Sequence, residues 1–294
     1  MSAEPRYQLD LDTQISCVSR DDKSARYDVE ISDHWRVIVG PNGGYLAALL
    51  LKVMRDQLAH DPRVEGKKPT RSLTLQYLNP SKPGPATISV RNEKVSKRLA
   101  VITARLEQAG VLITLATAHF GDARMAVNFK DHPMPMCDKP SAVAPERWMS
   151  PAHPWYVAFR DQFEQCTTIG SLPPSQSERA LSGGWMRFRD LRPLDDIGLA
   201  AISDAWYPSL VTKRLDASFH CPTLEHTVYF HSAPPVEDLD QFCLVQFEAK
   251  ASTDGFVEET GCIWSASGQV LATTHQLAAL TEWNDESRAR RPAR

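Results

Sequence analysis

A run of apolar residues with no polar periodicity follows a glycine-rich turn near the start of the chain. The turn, Gly40-Pro41-Asn42-Gly43-Gly44, leads into residues 45–51, and Lys52 is the first charged residue after it. A helical segment that is apolar on every side is typical of a helix enclosed by protein. Lys52 and Arg55 end the run well short of the ~18 residues that a membrane span needs. The pattern therefore predicts a buried helix around which other elements wrap.

The same turn does not match the known phosphate-binding loops. A Walker loop requires Lys and then Ser or Thr directly after its last glycine, and Tyr45 and Leu46 occupy those places. The dinucleotide-binding pattern requires three glycines at fixed offsets and an acidic residue further on, and this spacing is missing. We therefore expect the glycines to allow close packing of the helix start against neighbouring backbone.

Alternation of apolar and polar residues predicts two similar series of strands. In the first, the helix precedes a Pro-rich turn at 79–85 and strands at 71–78, 86–94, 101–107 and 111–120. In the second, a helix at 194–207 precedes strands at 223–231, 242–251, 256–265 and 270–280. One helix followed by antiparallel strands, occurring twice, predicts an α+β double hotdog, in which each antiparallel sheet wraps a central helix. Joined sheet edges would protect the edge strands.

Prolines recur at 133, 135, 140, 145, 151 and 154, between the two series. Repeated prolines remove backbone donors and fix φ, so regular structure is not expected there. We predict an N-terminal hotdog at 1–130, a Pro-rich linker at 131–155 and a C-terminal hotdog at 156–294.

Composition and charge exclude several classes of protein. The net charge of −3 argues against nucleic acid as a partner. The first residues lack the apolar core of a secretory signal, and the six cysteines form no C-x-x-C pair. We therefore expect a cytoplasmic protein with free thiols, no membrane association, no bound metal and no cofactor. Homo-oligomer formation is left open.

Asp204 is the only carboxylate in the apolar segment 199–207. Pro208 predicts a helix end or kink nearby, and a carboxylate near a helix C-terminus faces the negative end of the dipole. Burial would raise its pKa toward that of a general base, whereas an Asp turned to solvent would have no such role. Thr223 alone is typical of a strand residue, and a buried amide at Gln276 must find partners.

Four segments together resemble the type II acyl-CoA thioesterase family, including its fungal thioesterase-like branch. They are Gly40-Pro41-Asn42-Gly43-Gly44-Tyr45, Ile202-Ser203-Asp204-Ala205-Trp206, Thr223-Leu224-Glu225-His226-Thr227-Val228-Tyr229-Phe230-His231 and Gly268-Gln269-Val270-Leu271-Ala272-Thr273-Thr274-His275-Gln276. The family usually has Asp where Glu225 stands, a departure that does not touch the water-activating Asp. The resemblance implies that Asp204, Thr223 and Gln276 orient a water that hydrolyses the thioester, with one active site per chain.

The resemblance also implies an acyl-CoA or acyl-carrier-protein thioester as partner, and a role in lipid or polyketide metabolism. The candidate substrate-binding residues are Trp35, Gly43, Gly44, Trp206, Arg187 and Arg189. The alternatives are a hotdog dehydratase, an acyl-transfer enzyme of secondary metabolism and a non-catalytic acyl-binding protein. An α/β-hydrolase is not expected, because the chain has no G-x-S-x-G motif. Asp33 and His34 are a second candidate acid/base pair.

Overall fold

A computed structural model describes residues 6–66, 68–153, 156–213, 219–235 and 242–282. The helices in these ranges are α1 (Gln8–Asp12), α2 (Gly43–Ala59) and α3 (Asp196–Ile202). The strands before the linker are β1 (Ile15–Arg20), β2 (Ser24–Ile31), β3 (Thr70–Tyr77), β4 (Gly84–Val95), β5 (Leu99–Gln108) and β6 (Val111–Gly121). Those after it are β7 (Phe163–Gly170), β8 (Ala180–Phe188), β9 (Phe219–His220), β10 (Thr223–Phe230), β11 (Cys243–Thr253), β12 (Phe256–Ser265), β13 (Val270–Ala279) and β14 (Thr281–Glu282).

A single antiparallel sheet runs through both halves of the chain. Its strand order is β1-β2-β4-β5-β6-β3-β10-β13-β12-β11-β8-β7, and β9 pairs separately with β14. Counted outward from the β3–β10 junction, the strands of the two halves follow the same order: β3-β6-β5-β4-β2-β1 on one side and β10-β13-β12-β11-β8-β7 on the other. At the junction Thr227 lies opposite Thr74, and their hydroxyls are 3.0 Å apart. The prediction that two sheets are joined edge to edge is confirmed.

Helix α2 is buried within the first half, as its sequence predicts. Asn42 caps its start by accepting a hydrogen bond from the Tyr45 N–H at 3.2 Å. Leu49, Leu50 and Leu51, three consecutive positions, are all fully buried. The helix contacts β4, β5 and α3, so protein surrounds it on all sides. Its apolar character is therefore explained by burial.

Helix α3 is shorter than the segment 194–207 predicted for it and ends at Ile202. Side chains from elsewhere bind the carbonyl groups that follow. Asn42 Nδ2 donates to the Asp204 carbonyl at 2.8 Å, and Gln165 Nε2 donates to the Ala205 carbonyl at 2.9 Å. Because these tertiary contacts satisfy the backbone, the chain leaves the helical path before Pro208.

Strands β1, β2, β7 and β8 were not expected from the sequence. They precede α2 and α3, so each half has two strands, a helix and then four main strands. In β2, buried and exposed residues alternate clearly. The residues between the buried ones are exposed, and the buried ones are Ala25, Tyr27, Val29 and Ile31. This period of two is a strand signal that could have been found.

The described part of the predicted linker contains no strand; it holds the 3-10 turns Pro140–Ala142 and Pro145–Arg147 and an isolated β-bridge from Trp148 to Cys166. It packs against the second half of the sheet. Trp264 Nε1 donates to the His132 carbonyl at 2.9 Å, and Trp185 Nε1 donates to the Asp138 carbonyl at 2.8 Å. These two tryptophans therefore support the linker. The domain boundaries themselves stay a prediction.

Gly44 marks the point where α2 approaches α3, and Gly44→Ala tests that contact. A Cβ at Gly44 would lie 2.3 Å from the Ala201 carbonyl oxygen, closer than atoms can pack. We expect the substitution to destabilise the fold by about 1–3 kcal/mol, because backbone must shift. Chemical unfolding of the variant measures this loss. Gly121→Ala is the control, since its Cβ would have no neighbour closer than 3.4 Å. Equal stability of the Gly44 variant and the wild type would contradict the close approach.

Candidate active site

The carboxylate of Asp204 lies at the N-terminus of α2, although Asp204 itself follows α3. Its Oδ2 accepts hydrogen bonds from the Gly44 N–H and from Asn42 Nδ2, both at 3.2 Å. The N-terminus of a 17-residue helix carries unpaired N–H groups and the positive end of the dipole. The sequence had placed this carboxylate at the negative end of its own helix. That expectation did not include α2, whose N-terminus carries the positive end of its dipole and stabilises the carboxylate.

Asp204 is a strong candidate for a base near neutral pH. Burial raises the pKa of Asp204 to about 7, and the negative charge of Glu259 adds to the rise. Hydrogen bonds from Gly44, Gly43 and Asn42 oppose it. Burial outweighs these donors, so the carboxyl group exchanges its proton in the range where a general base works.

Gly43 lies between Asp204 and Tyr77 and leaves no room for a side chain. A Cβ there would be 2.8 Å from both Asp204 Oδ2 and Tyr77 Oη. Tyr77, at the end of β3, donates its hydroxyl to the Gly43 carbonyl at 2.8 Å. Burial and the nearby Asp204 charge hold the pKa of Tyr77 well above its usual value. Tyr77 therefore stays protonated and fixes the start of α2.

Glu259 is a second buried carboxylate at this site. It lies on β12 and is 6% exposed. Its Oε2 accepts the Ser209 N–H at 2.6 Å and the Ser209 hydroxyl, and its Oε1 accepts Gln276 Nε2 at 2.7 Å. Burial raises the pKa of Glu259, and the donated hydrogen bonds oppose that rise. Glu259 was not among the site residues predicted from the sequence.

A signal for Glu259 exists in the strand pattern. Val257, Glu259 and Gly261 alternate along β12 with the more exposed Glu258 and Thr260. Every second side chain of a strand lies on the same face, so a carboxylate two residues from a valine and two from a glycine is expected on the buried face. The adjacent Glu258 conceals the signal, because two acidic residues in a row resemble a solvated segment.

Gln276 is brought to the site, directly across from Glu259 in the pairing of β12 with β13. Its Nε2 is used by Glu259, and its buried Oε1 has no hydrogen-bond partner among the described residues. Thr223 begins β10, beside a register shift, and is partly buried. Its neighbour Cys221 has a pKa raised to about 12 by burial and by the charges of Glu259 and Asp204. The start of β10 therefore lies near both carboxylates.

His226 is a further buried group beside the site. It pairs across the sheet with Gln276, and its Nε2 is 2.9 Å from the hydroxyl of Ser203. That hydroxyl donates to the Ala200 carbonyl at 2.8 Å, so His226 Nε2 carries a proton and donates to Ser203. Burial lowers the pKa of His226 to about 4. His226 is therefore neutral near pH 7 and ties the turn that holds Asp204 to β10.

The other candidate substrate-binding residues have structural contacts of their own. Trp35 is fully buried, stacks on Tyr45 at 5.3 Å and donates its Nε1 to Asp12. Trp206 packs against Tyr207 beside Asp204. Arg187 pairs with Glu164, and Arg189 donates to the carbonyls of residues 161 and 163. Only Gly43, Gly44 and Trp206 of this set lie next to Asp204, and substrate contact stays a prediction for each of the six.

Within the described ranges no helix is long and apolar enough to cross a membrane. The same ranges hold no group of three or more His, Cys, Asp or Glu side chains placed to bind a metal ion.

Comparison with known proteins identifies the family. The acyl-CoA thioesterase N-terminal domain matches residues 31–121, and the acyl-CoA thioesterase C-terminal domain matches residues 138–280. The chain belongs to the acyl-CoA thioesterase family. It is accordingly a thioester hydrolase of acyl-CoA substrates, as its resemblance to the type II thioesterases predicted. The comparison with curated proteins found no match.

Solved structures of the same fold cover nearly the whole chain. A hotdog protein of unknown function from Alicyclobacillus acidocaldarius is 26% identical, covers 94% of this chain and 99% of its own, and has a TM-score of 0.80. The acyl-CoA thioesterase II of Mycobacterium marinum is 16% identical, with coverages of 94% and 99% and a TM-score of 0.69. A tesB protein from Mycobacterium avium subs paratuberculosis is 15% identical, with coverages of 93% and 98% and a TM-score of 0.69. The double hotdog fold is confirmed.

The raised pKa of Asp204 has a consequence for stability that Asp204→Asn tests. In the folded protein the Asp204 carboxyl group keeps its proton up to about pH 7, whereas the reference pKa of an Asp side chain is 3.8. Its contribution to stability is therefore complete below pH 4 and is lost as the pH rises through 7. Asn cannot ionise, so the variant should become more stable than wild type above pH 8, on the order of 2 kcal/mol after allowance for partial solvent screening.

Thermal unfolding at pH 5 and pH 8.5 measures this difference. The exposed Asp33→Asn variant is the control and should follow the wild type at both pH values. A gap between Asp204→Asn and wild type that is the same at both pH values would show that Asp204 ionises as freely as in the unfolded chain.

Proposed function

We propose that Asp204 is the general base that activates a water for direct attack on the thioester carbonyl of an acyl-CoA. The observation that carries this proposal is the partly buried Asp204 carboxylate at the α2 N-terminus, with a pKa of about 7. A base of this pKa is largely ionised just above neutral pH and still binds a proton well. The proposal needs no covalent intermediate on the protein.

The free atom of Gln276 supports this use of the site. Because Glu259 accepts from Nε2, the end of the amide left without a partner is Oε1, an acceptor. A water that donates one hydrogen to Gln276 Oε1 and the other to Asp204 would direct its lone pair at a third position. That position is where the thioester carbonyl carbon would lie. The amide thus orients the water, and the carboxylate takes its proton.

Thr223 is the third member of the proposed set. It is partly buried at the start of β10, and its hydroxyl can both donate and accept a hydrogen bond. The position of Cys221, close enough to feel both carboxylate charges, supports a location of Thr223 at the edge of the site. We propose that Thr223 holds the same water as a secondary contact.

The bond changes follow from these roles. The water oxygen bonds to the carbonyl carbon as Asp204 takes the water proton, which gives a tetrahedral oxyanion. Collapse of this intermediate breaks the C–S bond and releases the CoA thiolate and the acid. The proton held by Asp204 neutralises the leaving thiolate, which returns the carboxylate to its starting state. No other co-reactant is consumed.

Several finer properties are proposals as well. A cytoplasmic location is supported by the six cysteines, all within the described ranges and all free thiols. Acyl-carrier-protein thioesters and a role in lipid or polyketide metabolism would extend the CoA activity. Thiol release from a panel of acyl-CoA and acyl-carrier-protein esters separates these substrates. The same assay separates a hydrolase from a dehydratase, an acyl-transfer enzyme and a silent acyl-binding protein, since only hydrolysis frees thiol and acid together without an acceptor.

Asp204→Asn should lower kcat by roughly two orders of magnitude or more, because the base is removed while the shape is kept. KM should change little, since the ground-state complex is not altered. Gln276→Ala and Thr223→Ala should each slow turnover less. Asp33→Asn is the matched control and should keep wild-type turnover. If Asp204→Asn hydrolyses its best thioester within about threefold of wild type, Asp204 is not the base and Asp33 becomes the candidate.

The pH dependence of kcat/KM should report the ionisation of Asp204. Activity should rise with pH and level off above an apparent pKa of about 7, because the base must be deprotonated. Tyr77 and His226 titrate far from this range, so neither should produce the rise. A rate profile that is flat from pH 5 to 8 would contradict a base with the environment of Asp204.

A further inference from the structure

The residue that the mechanism above does not use is Glu259, whose Oε1 accepts a hydrogen bond from Gln276, one of the proposed water-binding groups. We propose that Glu259 is a positioning residue: it fixes which end of the Gln276 amide faces the water and places a second negative charge beside Asp204. This inference rests on the proposed role of Asp204 and deepens it. Nothing in the family match assigns a role to this glutamate.

The hydrogen bonds of Glu259 fit the ionised carboxylate. Every contact of its two oxygens is with a donor, namely the Ser209 N–H, the Ser209 hydroxyl and the Gln276 amide. The Ser209 N–H can only donate, and the end of the Gln276 amide that faces Oε1 is a donor too, so each carboxylate oxygen has a donor opposite it. These donors favour the charged form and oppose the rise in the pKa of Glu259 that burial causes.

The orientation of Gln276 follows from that charge. A carboxylate only accepts, so the amide must turn its Nε2 to Glu259 and its Oε1 away. Without Glu259 the two ends of the amide would be nearly equivalent in shape, and a water at the site could meet a donor or an acceptor. Glu259 thus decides the polarity of the group that the water meets.

The electrostatic effect acts on Asp204 directly. Glu259 is the charged side chain that raises the pKa of Asp204, after burial itself. Among the described residues, the other titratable groups near the pair are Tyr77 on β3, the Cys221 thiol, and His226 on β10, which lies opposite Gln276. Their pKa values, well above 10, about 12 and about 4, leave all three neutral near pH 7. Among the described residues, Glu259 is therefore the group whose charge adds to the effect of burial on the pKa of Asp204.

Glu259→Gln removes the charge and keeps the size. Its NH₂ group cannot face the fixed Ser209 N–H, so it faces Gln276 and forces that amide to present Oε1 to it and Nε2 to the water. We expect the plateau kcat to fall about tenfold or more, because the water is misoriented. The rise in the pH profile should also occur at a pH lower by roughly one unit, because the negative charge of Glu259 no longer opposes ionisation of Asp204.

Two further variants separate the effects. Glu259→Asp keeps the negative charge, but its shorter side chain moves the carboxylate away from Gln276. We therefore expect kcat to fall while the apparent pKa of the rise in the pH profile stays unchanged. In a Gln276→Ala background, Glu259→Gln should still shift the rise in the pH profile but should cost little additional turnover, because there is no amide left to orient. Glu258→Gln is the control: it is next in sequence, on the outward parity of β12, and its partner is His275. It should change neither quantity.

The outcomes distinguish this inference from the proposed function. If Asp204→Asn is inactive while Glu259→Gln keeps wild-type turnover within twofold and an unmoved rise in the pH profile, Glu259 is not a positioning residue and the base assignment stands. If Asp204→Asn retains activity, the base assignment itself fails. Should Glu259→Gln not fold, as judged by its unfolding transition, Glu259→Asp decides: unchanged turnover in that variant would overturn the inference.

Discussion

The contact between the Asp204 carboxylate and the start of α2 is the interaction on which the rest of the site depends. It joins a residue of the second half to a helix of the first half, across a sequence separation of 160 residues. The glycines at 43 and 44 allow the approach, since a Cβ at either position would meet atoms of the second half. Asn42 serves twice, as the cap of α2 and as a donor to Asp204. Capping of α2, packing between the two halves and placement of the proposed base are therefore one arrangement.

Much of the fold could be predicted from the sequence, because its signals are local. The apolar segment of α2 and the alternation in β5, β6 and β12 identify elements that the structure confirms. Asp204 was found because a carboxylate in an apolar segment is conspicuous. The length of α3 could not be found this way, since its end is set by side chains of Asn42 and Gln165 far away in the chain.

The electrostatics of the site were the least accessible to sequence reasoning. The helix end nearest to Asp204 in sequence is that of α3, but the end nearest in space is that of α2, and the two have opposite polarity. Likewise Gln276 was found alone, while its partner Glu259 lies 17 residues earlier on the adjacent strand. A pattern along one chain segment shows which side chain is unusual. The register between strands decides which partner it meets.

The β3–β10 junction gives the duplicated architecture a consequence for folding. Each half can form its helix and its own strand ladder from contacts within that half, whereas the Asp204 carboxylate meets α2 only when the halves are docked. Contacts between residues so distant in sequence form late, because chain closure must precede them. Under the proposed role of Asp204, a chain with native secondary structure in both halves but without the junction would be catalytically inert. Turnover is a property of the assembled pair, and it reports on docking in a way that circular dichroism does not.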